Sequence, residues 1–250
     1  LLAWGVFGIN PLTTIGVLGG SGSQVSQPAP GQAPPANDQA AAFVSTVLAS
    51  TEDAWTQIFR QGGAQYREPR LVLFRGATRT ACGMGQSAMG PFYCPADQTV
   101  YLDMEFFDTL QRQLNAPGEF ARAYVIAHEV GHHVQTLLGT TGKVDSLRGR
   151  VSERENNALS VRMELQADCF AGIWANKSQQ AKNWLEQGDL ESAMNAAARI
   201  GDDHLQRQQT GMVRPDTFTH GSSAQRQRWF AQGFETGSVQ ACDTFNAQSL

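Results

Sequence analysis

The chain has 250 residues, room for one domain of about 200 residues and an appendage. Its 41% hydrophobic content suffices for a core, whereas its 17% charged content falls below the roughly 25% usual in soluble domains. With a net charge of −4 and no basic stripe, it is not built to hold nucleic acid.

Residues 1–20 carry no charge at all. Residues 1–9 read as the end of a helix, stopped near Asn10-Pro11 because proline disfavours helix in the residue before it. A second apolar patch covers 12–18. An uncharged stretch of this length can enter or cross a bilayer. The chain starts at Leu1 rather than Met and is expected to be processed or truncated; if residues precede Leu1, residues 1–9 would be the outer end of a longer transmembrane helix. Residues 21–37, rich in Gly, Ser, Pro and Gln, cannot bury a core and read as a flexible tether. Residues 38–250 are expected to form one globular domain.

Phe43, Val44, Val47, Leu48, Trp55, Ile58 and Phe59 recur at helical spacing and predict a long first helix. Residues 71–74 and 99–102 predict short strands. Between them, the glycine-rich stretch 76–95 predicts a cross-linked loop. Helices are predicted over 104–114, 118–138, 152–176, 190–209 and 224–233, with a loop over 215–223. The fold class is therefore α+β, mainly helical with a small sheet.

The cysteines are Cys82, Cys94, Cys169 and Cys242, with no C-x-x-C pair to suggest a zinc ribbon or a thioredoxin-like motif. Two disulfides in an oxidising compartment are expected. Four cysteines allow three pairings. Cys82–Cys94 with Cys169–Cys242 is the expected one: the first closes a short loop, and the second pins the C-terminal tail to a central helix.

The strongest chemical signal is His128-Glu129-Val130-Gly131-His132. On a helix, residues four apart share a face, so His128 and His132 can present two imidazoles to one metal ion while Glu129 handles a proton. A catalytic zinc takes three protein ligands and keeps one position open. The metzincin pattern would place its third ligand ten positions after His128, where Leu138 stands. The candidate is instead Glu164, with Asp168 one helical turn later to accept the spare N–H of a liganding histidine. Ala171, Gly172 and Ala175 would let this helix approach the H-E-x-x-H helix closely. His133 points about 100° away from His132 and reads as a packing residue, and His204 has no supporting pattern. His220 sits in a turn before a helix carrying Arg226. Together they are candidates to stabilise an oxyanion.

These stretches resemble the bacterial neutral zinc metallopeptidase family, in which a membrane segment and a flexible linker precede one peptidase domain. The resemblance covers most of residues 38–246. It is carried by Cys82-Gly83 through Gly90-Pro91-Phe92-Tyr93-Cys94-Pro95-Ala96-Asp97, by Val100-Tyr101-Leu102-Asp103, and by residues 128–135 and 164–172. Ile200-Gly201-Asp202-Asp203, residues 218–230 and Cys242-Asp243-Thr244-Phe245 complete it. The site motifs also resemble those of membrane-linked proteases that trim prenylated proteins or handle damaged membrane proteins. There a Glu ligand is followed four residues later by Asp, and a Thr-His turn is followed by Arg six residues after the His. Thr219-His220 and Arg226 match that spacing, although Gly221 stands where that group has proline. The resemblance implies a gluzincin-like site.

The expected protein is thus a membrane-anchored, extracytoplasmic metallopeptidase. Zn²⁺ is expected on His128, His132 and Glu164, with its bound water activated by Glu129 and the oxyanion met by His220 and Arg226. Residues 99–102 are expected to hold an extended peptide substrate by strand addition. Residues 1–20 would be a single-pass anchor in the bacterial cytoplasmic membrane, with the domain on the periplasmic side. The alternative is a non-catalytic, zinc-binding accessory subunit of a larger membrane protein complex.

Overall fold

The structure, a computed structural model, describes residues 38–86, 90–112 and 118–250. The expected membrane segment 1–20 and tether 21–37 lie outside the described residues. Among the described residues, no helix is long and apolar enough to cross a membrane.

The architecture is α+β and mainly helical. Helix α1 spans Gln39–Gln61, opened by Asp38, whose Oδ1 accepts the amides of Ala40 and Ala41. Its apolar stripe buries Val44, Val47, Leu48 and Trp55. The Trp55 ring meets Phe170 edge-on at 5.4 Å.

A three-stranded sheet follows, ordered β1-β5-β4. Strand β1 (Arg70–Phe74) runs parallel to β5 (Thr99–Asp103), and β4 (Phe92–Cys94) pairs antiparallel on the other side. β5 is therefore the middle strand, and all five of its residues are buried. This overturns the expectation that residues 99–102 receive a substrate strand: both hydrogen-bonding sides of β5 are already taken. The stretch 76–95 is also more ordered than a loop. It contains a hairpin, β2 (Ala77–Thr80) with β3 (Gly83–Gln86), as well as β4. The two hairpin strands have no alternating apolar pattern, which is why periodicity misses them. Contacts outside the pattern hold the hairpin. Cys82 in its turn is bonded to Cys94 of β4. A Cβ at Gly85 would sit 2.8 Å from the Phe92 ring, so the hairpin lies directly on that ring.

Seven further α-helices lie among the described residues. They are α2 (Phe106–Arg112), α3 (Glu119–Leu137), α4 (Thr140–Leu147), α5 (Glu153–Lys182), α6 (Asp189–Arg199), α7 (Asp202–Thr210) and α8 (Ser223–Thr236). The single helix expected over 190–209 is two helices broken at Ile200-Gly201. The break has a steric reason: a Cβ at Gly201 would lie 2.5 Å from the backbone nitrogen of Ser223. Both α5 and α8 begin with a capping box, Ser152 with Glu155 and Ser222 with Gln225.

Helix α5 is the centre of the molecule, packed between α3 and α8. Its run Leu165–Ala175 is buried throughout. Glycines set its separations from both neighbours. A Cβ at Gly131 of α3 would stand 2.9 Å from the carbonyl oxygen of Ala167. A Cβ at Gly172 would overlap the carbonyl of Phe230 in α8, and one at Gly233 would overlap the carbonyl of Cys169. Gly172 thus serves the α8 side, not the α3 side expected of it; Gly131 does that work. One hydrophobic cluster joins α1, the sheet and the helices through to Cys242. Each fully buried Leu, Ile or Phe in it contributes about 1.5–3 kcal/mol over exposure. The second disulfide, Cys169–Cys242, spans 73 positions and clamps the C-terminal turn to α5. Both disulfides are those expected.

Candidate metal centre

Helix α3 carries His128 and His132 on one face, with ring centroids 4.8 Å apart. Glu164 faces them from α5. Its Oε2 lies 3.2 Å from Nε2 of His128 and its Oε1 lies 3.5 Å from Nε2 of His132. One ligand atom from each of the three side chains lies within 4.8 Å of the others. The close approach of α3 to α5 at Gly131 and Ala167 brings these two helix faces together.

The other ring nitrogens are already occupied. Nδ1 of His128 donates to Asp168 Oδ1 at 2.8 Å, because a carboxylate at this distance can only accept. Nδ1 of His132 lies 2.9 Å from Oε1 of Gln135. Each imidazole therefore turns Nε2 toward Glu164. Asp168 is fully buried and saturated. It accepts Tyr124 Oη at 2.5 Å on Oδ1, and Arg226 grips it with Nε on Oδ2 at 2.8 Å and Nη2 on Oδ1 at 2.9 Å.

The electrostatics agree with a cation site. Burial opposes charge on His128 and His132, but Asp168 and Glu164 outweigh it, and both imidazole pKa values are raised. Burial likewise works against the Glu164 carboxylate, yet the histidines hold its pKa well below the usual range. The pocket thus favours positive charge between these three side chains. Glu129 is buried beside them; burial raises its pKa, and the charges of His128 and His132 partly offset that. Two imidazole nitrogens and a carboxylate, each histidine held through its other nitrogen, form a donor set that suits zinc.

His220 lies in the turn before α8, close enough to Glu164 to feel its charge. The turn is built on Asp202, the first residue of α7. Asp202 Oδ2 accepts the amides of Thr219 (2.7 Å), His220 (2.6 Å) and Gly221 (3.0 Å), and its Oδ1 lies 3.2 Å from His220 Nδ1. Burial disfavours the His220 cation, but Asp202 and then Glu164 outweigh it and raise the pKa. Gly221 has φ +90°, a conformation that proline cannot adopt.

Arg226, expected beside His220, hydrogen-bonds to Asp168. Its guanidinium is buried behind His128, with Nη2 3.4 Å from Nδ1, on the side of the ring opposite Glu164. It holds Asp168 through Nε and Nη2, and its charge also reaches His220. His133 packs inside, 3.0 Å from Tyr93 Oη and 2.6 Å from the carbonyl of Arg67. His204, on α7, is outside the three-ligand group. Sequence reasoning missed Asp202, Tyr124, Gln135 and Gln166. Tyr124 and Gln135 lie on α3 within four residues of a histidine ligand, so helical spacing held a signal for both.

The whole-chain comparisons agree with this chemistry. Residues 1–245 match the family described as "Putative neutral zinc metallopeptidase". The chain is 58% identical over 211 residues to "Uncharacterized protein YpfJ" of Escherichia coli strain K12, covering 84% of this chain and 73% of that protein. It is 42% identical over 218 residues to "Uncharacterized protein Rv2575" of Mycobacterium tuberculosis strain H37Rv, covering 83% and 73%. No solved structure matches it. The chain belongs to the neutral zinc metallopeptidase family.

Proposed function

We propose that this protein is a zinc-dependent endopeptidase acting outside the cytoplasm, anchored in the bacterial cytoplasmic membrane by residues 1–20. The observation that carries the reading is the convergence of His128 Nε2, His132 Nε2 and the Glu164 carboxylate, with both Nδ1 atoms separately engaged. Zinc held there supplies Lewis acidity at neutral pH. Glu129 takes the proton of the attacking water and returns it to the leaving amine; a carboxyl whose pKa is raised by burial suits both transfers. His220 stabilises the oxyanion. Its Nδ1 lies 3.0 Å from Thr219 Oγ1 and 3.2 Å from Asp202 Oδ1, contacts that orient the ring. Arg226 acts through Asp168 and has no contact with substrate in this scheme. The two disulfides support the extracytoplasmic side, and the uncharged residues 1–20 support the anchor.

The test is Glu129→Gln in the full chain, read on a peptide library. Hydrolysis should vanish and zinc should stay near one per chain. Full activity in Glu129→Gln removes Glu129 from the mechanism. No chelator-sensitive cleavage by the wild type, together with stoichiometric co-purification in a larger membrane assembly, would favour the accessory-subunit reading.

A further inference from the structure

The two histidines of the metal centre are held by different means. His128 has a carboxylate behind it. His132 has only a neutral amide, Gln135, which is fully buried. An amide can face either way, so something must decide which end meets the ring.

That decision is traceable bond by bond. Gln166 Nε2 donates to the backbone carbonyl of Cys242 at 3.0 Å. A carbonyl can only accept, so Gln166 must turn its own oxygen the other way, toward Gln135. Gln135 Nε2 lies 3.2 Å from that oxygen and 2.7 Å from a second acceptor-only group, the carbonyl of Met163. The amide nitrogen of Gln135 is thus committed to two acceptors. Its Oε1 is left facing His132 Nδ1 at 2.9 Å, and only an Nδ1–H can satisfy it. The chain has one polarity from end to end, because its fixed points are backbone carbonyls.

The geometry points to Gln135 and Gln166 as positioning residues for the metal centre: a one-way amide relay, fixed at Cys242, that favours the His132 tautomer with its proton on Nδ1 and so presents Nε2 to the metal. This rests on the metal-centre reading given above and extends it. The far end is itself anchored. Cys242 is bonded to Cys169 of α5, and Thr244 Oγ1 donates to the carbonyl of Arg162 at 2.7 Å.

The experiment measures zinc affinity by competition with a chromophoric chelator, using the complete chain with disulfides formed. Gln135→Met removes the acceptor and should weaken zinc binding about 10- to 100-fold. Gln135→Glu keeps an acceptor for Nδ1–H but loses both donations to Met163 and Gln166. It should restore affinity to within a few-fold of wild type. A merely structural role predicts the reverse, with Gln135→Glu at least as damaging as Gln135→Met, and that result overturns the proposal. Nitrogen-15 NMR of the zinc-loaded wild type should place the His132 proton on Nδ1. Zinc bound through Nδ1 would overturn the relay even if Gln135→Met fails to fold. The two readings fail separately. If wild type binds no zinc, or His128→Ala binds it equally well, the metal centre itself is wrong. If wild type binds zinc through His128 and Gln135→Met matches it, only the relay is wrong.

Discussion

Arg226 closes on both carboxylate oxygens of Asp168, in a pair from which solvent is almost wholly excluded. Asp168 in turn holds His128. The pair is part of the scaffold beneath the metal centre, and breaking it strands a buried charge. Arg226→Met should therefore destabilise the fold by about 3–5 kcal/mol in denaturant unfolding. The pH dependence carries a second signature. Burial raises the Asp168 pKa, but Arg226 and then His128 pull it below its ordinary value. A depressed carboxylate contributes stability above its unfolded pKa and loses it as pH falls through the folded pKa. Without Arg226 the folded pKa rises, so the acid-unfolding midpoint should move to higher pH. An unchanged midpoint would contradict this account.

Asp202 does for His220 what Asp168 does for His128, and adds three backbone amides. Asp202→Asn can offer an oxygen to those amides, but its NH₂ then faces Nδ1 and removes the charge that favours the imidazolium. Activity that depends on the cation is lost as pH rises through the His220 pKa. In Asp202→Asn that alkaline limb should shift to lower pH, with zinc content unchanged. The loss in kcat should be smaller than in His220→Ala, for which removal of an oxyanion donor predicts roughly 10²–10³-fold. A pH–rate profile superimposable on wild type would remove Asp202 from the scheme.

The parts legible in the sequence are those whose signal is local. His128 with His132 and Glu164 with Asp168 each share a helical face because the spacing is four, and no tertiary knowledge is needed to see it. The hairpin over 77–86 was hidden because its strands are held by Cys82 and the Phe92 ring and not by an apolar pattern of their own. The break at Ile200-Gly201 was hidden for a related reason: Gly201 is required by its contact with Ser223, more than twenty positions away. Arg226 shows the limit most clearly. Its distance from His220 along the chain is readable, but the side of the His128 ring on which the guanidinium lands depends on how α8 crosses α5.

That crossing makes a prediction in which helix propensity and packing disagree. Gly172→Ala and Gly233→Ala should each gain up to about 1 kcal/mol of helix propensity. Each also drives a methyl into a backbone carbonyl of the facing helix, Phe230 or Cys169, and backbone cannot rotate away. Packing should win, with a net loss of at least about 1–3 kcal/mol. Gly142→Ala is the control: it lies in α4, its new Cβ would meet no atom of a facing element within 4 Å, and it should stabilise by about 0.5–1 kcal/mol. Equal effects at the three sites in urea unfolding would refute the close-crossing argument.

The disulfides separate stability from metal binding. In a chain-entropy treatment, opening Cys169–Cys242, which spans 73 positions, costs about 4 kcal/mol, and opening Cys82–Cys94, which spans 12, costs about 3 kcal/mol. Replacing either pair by alanine should lower Tm by on the order of 10 °C for a domain of this size. Their effects on zinc should differ. Only Cys169–Cys242 fixes the carbonyl that orients Gln166, so only its loss should weaken zinc affinity, by several-fold below the unfolding temperature. Cys82–Cys94 holds a hairpin that shares no hydrogen bond with His128, His132 or Glu164 among the described residues. If both double variants weaken zinc binding alike, the influence of the C-terminal clamp is general loosening and does not pass through the amides.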